Sequence, residues 1–432
     1  MPVERYTAEQ WRTSARAKRT LDLGGTPEQA RAVREICQEV ATVGDAAVWR
    51  LTRRFDGWEP GPGETLEVPA ACLETAFDRL TPEQGSALRL AAERIRAFHE
   101  IERPEPVRSL GRLRLLTRPV QRAGLYAPGG RAAYPSTVLM TAIPARVAGV
   151  PHVVLATPPE ADGSVSPGVL AAARLAGVDT VYRMGGAQAI AAFAYGTETI
   201  PRQDVVAGPG NVYVTLAKRE VFGAVGVDGV AGPTEIVVVA DGSADPALIA
   251  ADLLSQLEHD PLAWGLLITD SPSLLDAVAE ELETQTPELE RATIVRDASC
   301  CLILARSLRE AMRIANDFAP EHLELMGKRA ERALDEVENA GAVFVGHRSP
   351  NALGDYMIGP NHTLPTAQAA RFSSPLGVHT FVKRMSVSRV TRKGFAALEG
   401  PARTLAELEG FGGHARAIAV RAQTAGRRKS TP

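Results

Sequence analysis

The sequence contains few of the residues that build disulfide frameworks or membrane spans. Only four cysteines occur among its 432 residues, at positions 37, 72, 300 and 301, and none has C-x-x-C spacing. The adjacent Cys300 and Cys301 suit neither a structural zinc site nor an ordinary disulfide, so we expect buried, reduced thiols. No stretch is apolar enough for long enough to cross a bilayer, and the first residues lack the apolar core of a signal peptide. These absences predict a cytoplasmic protein without a membrane partner.

An excess of charge of one sign is also missing. Lysines and arginines number 48 and acidic residues 51, so no bulk field attracts nucleic acid. No G-x-G-x-x-G opens a helix after a strand, and the phosphate-binding pattern G-x-x-x-x-G-K-[ST] does not occur. What is present is a globular balance of 45% apolar and 23% charged residues, over a length that predicts at least two domains.

The first third of the chain is predicted to be mostly helical. Thr26 and Thr81 each precede Pro-Glu-Gln, which places a capping hydroxyl before a proline at the first helical position. Apolar periodicity continues from these caps to about Val43 and Glu102. Residues 1–22 are expected to form a separate helical arm.

Strands and helices alternate from about Leu113 onward. This alternation predicts parallel sheets covered by helices on both faces, with ligands bound at the carboxyl ends of the strands. The predicted fold class is α/β, with two side-by-side αβα domains that are Rossmann-like but incomplete. The predicted domains after the arm are 23–122 with 233–366, then 123–232, then a small helical tail at 367–432. We expect the helical first third to pack against the sheet that begins near Ile236.

Two polar side chains share one face of a predicted helix that ends before Pro261. Gln256 and His259 are three residues apart, so they point the same way. Neutral imidazole is a common zinc ligand, so the pair could form the first half of a metal site. Most such pairs are polar surface, and this one predicts a metal only together with further ligands.

Further candidates for chemistry lie on turns. Glu321 and His322 stand on a turn that enters a strand, where a carboxylate and an imidazole can supply two bases. Asp355 is a hard oxygen donor in a loop, and His414 follows two glycines near the end of the chain. A capped surface turn and a solvated tail histidine are the alternatives that these residues leave open.

Glycine-rich strand ends mark the stretch 123–232. They are Gly129-Gly130, Gly185-Gly186 before Gln188, and Gly208-Pro209-Gly210 before Asn211. Each could present helix N-terminal N–H groups to a phosphate or ribose, or could simply form a tight turn. Three of them at one edge of one sheet favour a ligand cleft.

Eight separated motifs resemble those of the histidinol dehydrogenase family and occur in the family's order. Within about residues 120–415 they are Gly124–Gly130, Gly185–Ile190, Ala207–Asn211, Gly232–Glu235, Ser255–His259, Ala319–His322, Gly354-Asp355 with Asn361-His362, and Glu409 with His414. A series of this length in the right order is highly specific.

The resemblance implies a zinc-dependent enzyme that oxidises L-histidinol to L-histidine in two successive NAD⁺ steps through an aldehyde. By similarity, each subunit binds one zinc ion, and the residues that match its ligands are Gln256, His259, Asp355 and His414. The matching catalytic bases are Glu321 and His322, and the matching NAD contacts are Tyr126, Gln188 and Asn211. Together with the metal ligands, the residues that match the substrate site are Thr234, His322 and Glu409. Metal and catalysis would thus belong to the first αβ domain, and NAD to the second.

Family members are intertwined homodimers, so the resemblance also implies that the tail 367–432 carries His414 into the partner subunit's active site. The family commonly has serine where this chain has Thr234, and both residues keep a hydroxyl. The glycines between Glu409 and His414 are a little unusual for the family. They bear on the geometry of the tail and not on its chemistry. The role of His362 stays open.

Three rival functions are consistent with parts of the pattern. The nearest is a related zinc and NAD dehydrogenase of the same fold that acts on another small alcohol. A zinc hydrolase could use Glu321 to activate a metal-bound water, but the glycine-rich strand ends would then have no role. A non-catalytic binding protein would require neither metal nor NAD⁺.

Overall fold

A computed structural model of the chain describes residues 3–14, 25–61, 63–129 and 133–427. Its packing divides the chain into two units. The first unit comprises residues 1–103 with 119–382, and the second comprises residues 104–118 with 383–432. The two predicted αβ domains lie within the first unit, except for residues 104–118 of the predicted segment 23–122. Their boundaries stay a prediction.

Strands and helices alternate through most of the described residues. The strands are β1 (Val3–Thr7), β2 (Val107–Leu110), β3 (Leu113–Pro119), β4 (Arg122–Tyr126), β5 (His152–Thr157), β6 (Thr180–Arg183), β7 (Val205–Ala207), β8 (Gly226–Val227), β9 (Glu235–Ala240), β10 (Trp264–Thr269), β11 (Ser299–Leu304), β12 (His322–Met326), β13 (Ala342–Val345) and β14 (Val382–Ser388).

The helices follow the same order. They are α1 (Ala8–Thr13), α2 (Pro27–Val43), α3 (Asp45–Asp56), α4 (Ala70–Glu74), α5 (Pro82–Ile101), α6 (Pro135–Ala148), α7 (Pro167–Ala176), α8 (Gly186–Tyr195), α9 (Val212–Val221), α10 (Pro246–Leu257), α11 (Pro272–Gln285), α12 (Ala292–Asp297), α13 (Leu308–Phe318), α14 (Asn351–Tyr356), α15 (Arg392–Leu408) and α16 (Gly412–Arg427). No helix among the described residues is long and apolar enough to cross a membrane.

A five-stranded parallel sheet with the order β6-β5-β4-β7-β8 forms one half of the first unit. Its central strands are continuous apolar runs because helices cover both faces. One face packs on α5, α6 and α7, where Ile95, Ile143 and Leu155 are fully buried. The other face packs on α2, α3, α8 and α9, around Val40 and Phe193.

The N-terminal helices therefore pack against the five-stranded sheet. The expectation that they pack against the sheet that begins near Ile236 is wrong. Their capping was predicted correctly, since Thr26 and Thr81 each accept a hydrogen bond from the N–H three residues on. Amphipathic periodicity identifies the buried face of a helix but not the sheet that this face covers.

A six-stranded parallel sheet forms the other half of the first unit, in the order β1-β11-β10-β9-β12-β13. Its faces pack on α10 and α11 and on α1 and α13. The predicted helical arm in fact begins with the edge strand β1, and only Ala8–Thr13 follows as a helix. The rest of the predicted arm, residues 15–22, lies outside the described residues. The predicted α/β class with parallel sheets is confirmed.

The second unit combines a small sheet with two helices. Strands β2 and β3 pair antiparallel, and β14 is the third strand of this sheet, in the order β14-β3-β2. Helices α15 and α16 pack on each other. The tail that was predicted to be helical therefore contains a strand as well, and α15 has no buried residue.

Candidate active site

Tyr126 lies at the carboxyl edge of the five-stranded sheet, because it is the last residue of the central strand β4. Its buried hydroxyl accepts a hydrogen bond from the Gly186 N–H at 3.0 Å. The strand end after β7 approaches the same residue, since a Cβ atom at Gly208 would overlap the carbonyl oxygen of Tyr126. Gly208 also has a φ of 125°, which favours glycine. The carboxyl ends of β4, β6 and β7 thus meet around Tyr126.

Gln188 lies in the first turn of α8 and is only 1% exposed. Its Nε2 donates to Oδ2 of Asp56 at 3.3 Å, and the Gly185 N–H donates to the same oxygen at 3.1 Å. Burial raises the pKa of Asp56 to about 6, and these two hydrogen bonds oppose the rise. Asp56 and Tyr126 therefore satisfy the first N–H groups of α8, so this glycine turn does not leave them free for a phosphate.

Asp56 is a residue that the sequence-based prediction missed. It is the last residue of α3, a position where the helix dipole disfavours an acidic side chain. That local conflict was a signal that the carboxylate has a partner elsewhere. Its partners lie 129 and 132 residues further along the chain.

Asn211 caps α9 at the third strand end. Its Oδ1 accepts hydrogen bonds from the N–H groups of Tyr213 at 3.0 Å and Val214 at 3.3 Å. The preceding loop is held by a buried ion pair, in which Lys218 Nζ lies 2.5 Å from Asp228 Oδ1. Lys218 Nζ also donates to the carbonyl oxygen of Gly208, and Asp228 Oδ2 accepts from the N–H of Gly208. The ion pair therefore holds the loop that precedes Asn211.

The catalytic candidates Glu321 and His322 stand at the amino end of β12, beside the amino end of β9. Glu321 Oε2 accepts from the Thr234 hydroxyl at 2.5 Å and from the Glu235 N–H at 3.0 Å. The general expectation that parallel sheets bind ligands at their carboxyl ends does not hold for this sheet. The residues that carry its candidate chemistry gather at the opposite edge.

Glu321 is almost completely buried, at 8% exposure. Burial raises its pKa to about 8, while the hydrogen bonds from Thr234 and Glu235 lower it and the charge of the Glu235 carboxylate raises it further. A carboxyl group with a pKa near neutrality is matched to general base catalysis.

His322 is held in one orientation by two neighbours. Its Nδ1 lies 3.1 Å from the carbonyl oxygen of Glu235, and because a carbonyl only accepts, we assign the proton to Nδ1. The ring stacks on Phe344 with 6.0 Å between centroids. The buried Nε2 has no hydrogen-bond partner among the described residues. Burial lowers the pKa of His322, so its ring is a neutral base at neutral pH.

Gln256 lies at the end of α10 and links the helix to the same cluster. Its Nε2 donates to the Thr234 hydroxyl, and its Oε1 accepts from Asn351 Nδ2 at 2.7 Å. A continuous chain of hydrogen bonds thus runs from Asn351 through Gln256 and Thr234 to Glu321. The sequence-based prediction missed Asn351, which is 1% exposed and lies four residues before Asp355.

His259, two residues beyond the end of α10, and Asp355, in α14, approach the same cluster. Although His259 is solvent-exposed, partial desolvation lowers its pKa, and the nearby Glu258 opposes this shift. Burial raises the pKa of Asp355 to about 6, and the charge of His322 opposes the rise. Since His322 acts on both pKa values, both side chains lie within electrostatic reach of the same imidazole.

His362, whose role the sequence left open, also belongs to this cluster. Its Nδ1 lies 2.9 Å from the backbone oxygen of Asp355, and its Nε2 lies 3.4 Å from the hydroxyl of Thr137. Burial lowers the pKa of His362 to about 4. Its position therefore supports the backbone that presents the Asp355 carboxylate.

Comparisons with known proteins agree with the family resemblance of the motifs. The sequence profile of the family described as histidinol dehydrogenase matches residues 24–422. The chain belongs to the histidinol dehydrogenase family. It is 50% identical over 394 residues to the histidinol dehydrogenase of Parasynechococcus marenigrum strain WH8102, covering 89% of each chain.

Further members of the histidinol dehydrogenase family show the same agreement. The enzyme of Geobacter metallireducens is 48% identical over 401 residues, which cover 91% of this chain and 92% of the relative. The crystal structure of histidinol dehydrogenase from Elizabethkingia anophelis superposes with a TM-score of 0.90 at 32% identity, and the match covers 99% of each chain. Family and fold extend over nearly the whole chain, so the resemblance that the motifs indicated is confirmed.

Two residues that the family resemblance implies, Glu409 and His414, belong to the second unit. Glu409 follows α15 and His414 lies in the first turn of α16, where its ring is 5.1 Å from that of Phe411. Both side chains are exposed. Their part in the active site stays a prediction.

Three side chains of the first unit have the donor chemistry of a zinc ligand set. Across the described ranges, no group of three or more His, Cys, Asp or Glu side chains is placed to hold a metal. The first unit contributes the imidazole of His259, the carboxylate of Asp355 and the amide of Gln256, a set without thiolates that suits a borderline to hard cation. These residues fit a zinc site that a further ligand must complete.

Proposed function

We propose that this protein is a cytoplasmic, homodimeric enzyme that oxidises L-histidinol to L-histidine in two NAD⁺-dependent steps, with one zinc ion per subunit. The observation that carries the proposal is the family match over residues 24–422. Membership of this family makes the protein an oxidoreductase of histidine biosynthesis that converts histidinol to histidine. The site residues and the cofactors are supported by geometry and donor chemistry as follows, and the subunit arrangement is supported by the family resemblance alone.

His322 is the base of the first step. Bound NAD⁺ would accept the hydride of the alcohol carbon. The alcohol oxygen gives its proton to Nε2 of His322, so that loss of the hydride and the proton leaves the aldehyde. Two features support this role. The proton on Nδ1 is directed to the Glu235 carbonyl oxygen, and burial keeps the ring neutral before the reaction.

Glu321 is the base of the second step. It removes a proton from the water that adds to the aldehyde. A second NAD⁺ would accept the hydride of the resulting hydrate, which leaves the carboxylic acid. Its raised pKa and its two hydrogen bonds from Thr234 and Glu235 support this role. Retention of the aldehyde between the steps protects it from solvent.

The nicotinamide cofactor belongs at the carboxyl edge of the five-stranded sheet. Tyr126, Gln188 and Asn211 are the contacts that we propose there. Their support is that strand ends from β4, β6 and β7 meet at this edge, which is where parallel sheets bind ligands.

Zinc would be held by Gln256, His259 and Asp355, with His414 contributed by the partner subunit. When bound, the ion would orient the substrate through the amine and imidazole groups of the substrate. Thr234, His322 and Glu409 complete the substrate site in this proposal, and the acidic Glu409 suits a cationic substrate. The chemistry of the donor set supports the metal, since imidazole, carboxylate and amide oxygen all bind zinc.

An NADH-forming assay with L-histidinol tests the proposal directly. We expect two NADH for each histidinol consumed, loss of the reaction after chelation, and recovery when zinc is added back. A protein that forms no NADH from L-histidinol under any of these conditions would contradict it. Comparison with simple diols tests the alternative of another small-alcohol dehydrogenase, which predicts faster turnover of the diols.

A further inference from the structure

Glu235 contacts both catalytic bases from the neighbouring strand. Its N–H donates to Oε2 of Glu321 at 3.0 Å, and the N–H of Glu321 donates back to Oε2 of Glu235 at 3.3 Å. Its carbonyl oxygen accepts from His322 Nδ1 at 3.1 Å. The two glutamates therefore hold the amino ends of β9 and β12 together through a reciprocal pair of bonds.

The second oxygen of the Glu235 carboxylate connects the bases to a third segment. Oε1 accepts from the N–H of Ala367 at 3.1 Å. Ala367 and Gln368 have φ values of 51° and 66°, in the left-handed region that non-glycine residues rarely adopt. The preceding Thr366 accepts a hydrogen bond from the Gly232 N–H, on the loop that leads to Thr234. The strained segment thus stands where it can fix the loop before β9.

The same kind of backbone occurs just before the bases. Ala319, two residues ahead of Glu321, has a φ of 51°. A conformation of this kind persists only when its surroundings determine it. The Glu235 carboxylate supplies such a constraint, because it accepts the first N–H after Pro320 and is itself 1% exposed.

We propose that Glu235 is the positioning residue for both bases, because its carboxylate fixes the backbone at Glu321 and Ala367 and thereby the Glu321 carboxylate and the His322 ring. The inference rests on the proposed roles of Glu321 and His322. It assigns to Glu235 no contact with substrate or cofactor.

A carboxylate is the side chain that this position needs. Two backbone N–H groups converge on it, and a carboxylate has only acceptors to offer them. Glutamine has the same length but only one acceptor oxygen, so its NH₂ group would face one of the two N–H groups. Aspartate keeps both acceptors but is one methylene shorter and cannot span both segments.

Glu235→Gln is the first test, with Glu310→Gln as the matched control. Glu310 is also a buried carboxylate that accepts a backbone N–H, but it lies at α13 and contacts Arg12 and Arg306. In the protein without metal, NAD⁺ or substrate, we expect E235Q to speed amide hydrogen exchange in peptides that contain Glu321 and Ala367. E310Q is expected to leave exchange in those peptides unchanged. Unchanged exchange in E235Q would overturn the proposal.

Kinetics with the aldehyde supplied as substrate gives the second test. E235Q is expected to lower kcat about tenfold, the effect of about one lost hydrogen bond to a buried group, with a smaller change in KM. E310Q should keep the wild-type values. Glu235→Asp keeps the charge and one of the two contacts, so its kcat should lie between those of the wild type and E235Q. This variant replaces E235Q in the test if E235Q does not fold.

A double variant separates positioning from a general loss of structure. If Glu235 acts on the aldehyde step through Glu321, adding E235Q to Glu321→Gln lowers the rate of that step no further. Multiplied losses in the double variant would show that Glu235 acts independently and would overturn the inference. A wild-type protein that forms no NADH would instead refute the proposed function, while the exchange experiment would still test the role of Glu235 in positioning.

Discussion

The two parallel sheets of the first unit place their candidate functional residues at opposite edges. In the five-stranded sheet, Tyr126, Gln188 and Asn211 all lie at or just after the carboxyl ends of strands. In the six-stranded sheet, Thr234, Glu321 and His322 all stand at or just before the amino ends. The same strand-helix alternation therefore does not determine which edge carries chemistry.

A returning helix brings a further donor to the amino edge of the six-stranded sheet. A helix that follows a parallel strand runs back toward the amino edge of the sheet, so its C-terminal residues reach that edge. Gln256, at the end of α10, does so and donates to Thr234 just before β9. At the amino edge a helix end therefore brings a donor to the cluster of the two bases. At the carboxyl edge the N–H groups of the glycine turns are already bound to Asp56, Tyr126 and Asp228.

The electrostatic character of the two edges differs as well. At the carboxyl edge, the predicted contacts are a phenol and two amides. The carboxyl groups beside them are Asp56, whose pKa is also raised by burial, and Asp228, which is paired with Lys218. At the amino edge, Glu321 and Asp355 have raised pKa values, and burial lowers the pKa of His322. Clustered shifts of this kind are typical of a centre that moves protons. The amino edge is therefore predicted to govern chemistry, and the carboxyl edge to govern cofactor binding.

The largest expected effect comes from His322→Asn. Alcohol oxidation should fall by about 10²–10⁴-fold, the usual contribution of a general base. The variant tests the amino edge, with His152→Asn on the exposed start of β5 as the control. Initial rates of NADH formation from L-histidinol measure the effect. A loss below tenfold would remove His322 from the first step.

The next effect concerns the second unit. Glu321→Gln and His414→Asn are each expected to abolish histidine formation as pure proteins. If His414 acts in the partner's site, unfolding and reassembling them together creates mixed dimers with one intact site. Activity should then recover to about a quarter of the wild-type level. Recovery that fails, although mixed dimers form, would place His414 in the site of its own subunit.

A smaller effect is expected at the carboxyl edge. Tyr126→Phe removes the hydroxyl that accepts from Gly186, and Gln188→Ala removes the partner of Asp56. Each should raise KM for NAD⁺ about tenfold and change kcat less. Tyr182→Phe, a buried tyrosine of the same sheet, is the control. A loss confined to kcat would contradict the proposal that the carboxyl edge binds the cofactor while the amino edge carries out the chemistry.

The smallest effect is on stability as a function of pH. Burial raises the pKa of Glu321 from 4.5 to about 8, so folding favours its protonated form. The stability that this group contributes is complete below pH 4.5 and is lost as the pH rises through about 8. Denaturant unfolding in a chelating buffer should therefore show a flatter pH dependence for Glu321→Gln over this range.

Glu310→Gln provides a control of opposite sign. Hydrogen bonds from Arg306 hold the pKa of Glu310 below its ordinary value, so its contribution is present at neutral pH and is lost as the pH falls. The variant should flatten the acidic side of the profile. A Glu321→Gln profile parallel to that of the wild type between pH 4.5 and 8 would contradict the shift assigned to Glu321.

Local patterns in the sequence predicted the elements that are determined locally. The capping threonines at 26 and 81 located the starts of α2 and α5, and the alternation located most strands of the two parallel sheets but not β1 or β8. The edge strand β1 was missed because Val3–Thr7 is short and pairs only with β11, nearly 300 residues away. Its pairing depends on a tertiary partner that no local pattern reveals.

The candidate site shows the same limit. Gln256, Glu321 and His322 were identified because their motifs are contiguous in sequence, and the structure links them through Thr234 and Glu235. Asp56, Asn351 and the Lys218–Asp228 pair carry no motif and act through partners that folding brings close. Residues that position others are recognised only from such contacts.

The most direct test of the central claim, that two different bases serve the two oxidations, is the NADH yield of Glu321→Gln. Wild-type protein should form two NADH for each L-histidinol consumed. The variant should oxidise the alcohol at close to the wild-type rate but form about one NADH per histidinol, with the aldehyde trapped by a carbonyl reagent. Equal slowing of both oxidations, with two NADH still formed per histidinol, would contradict the account.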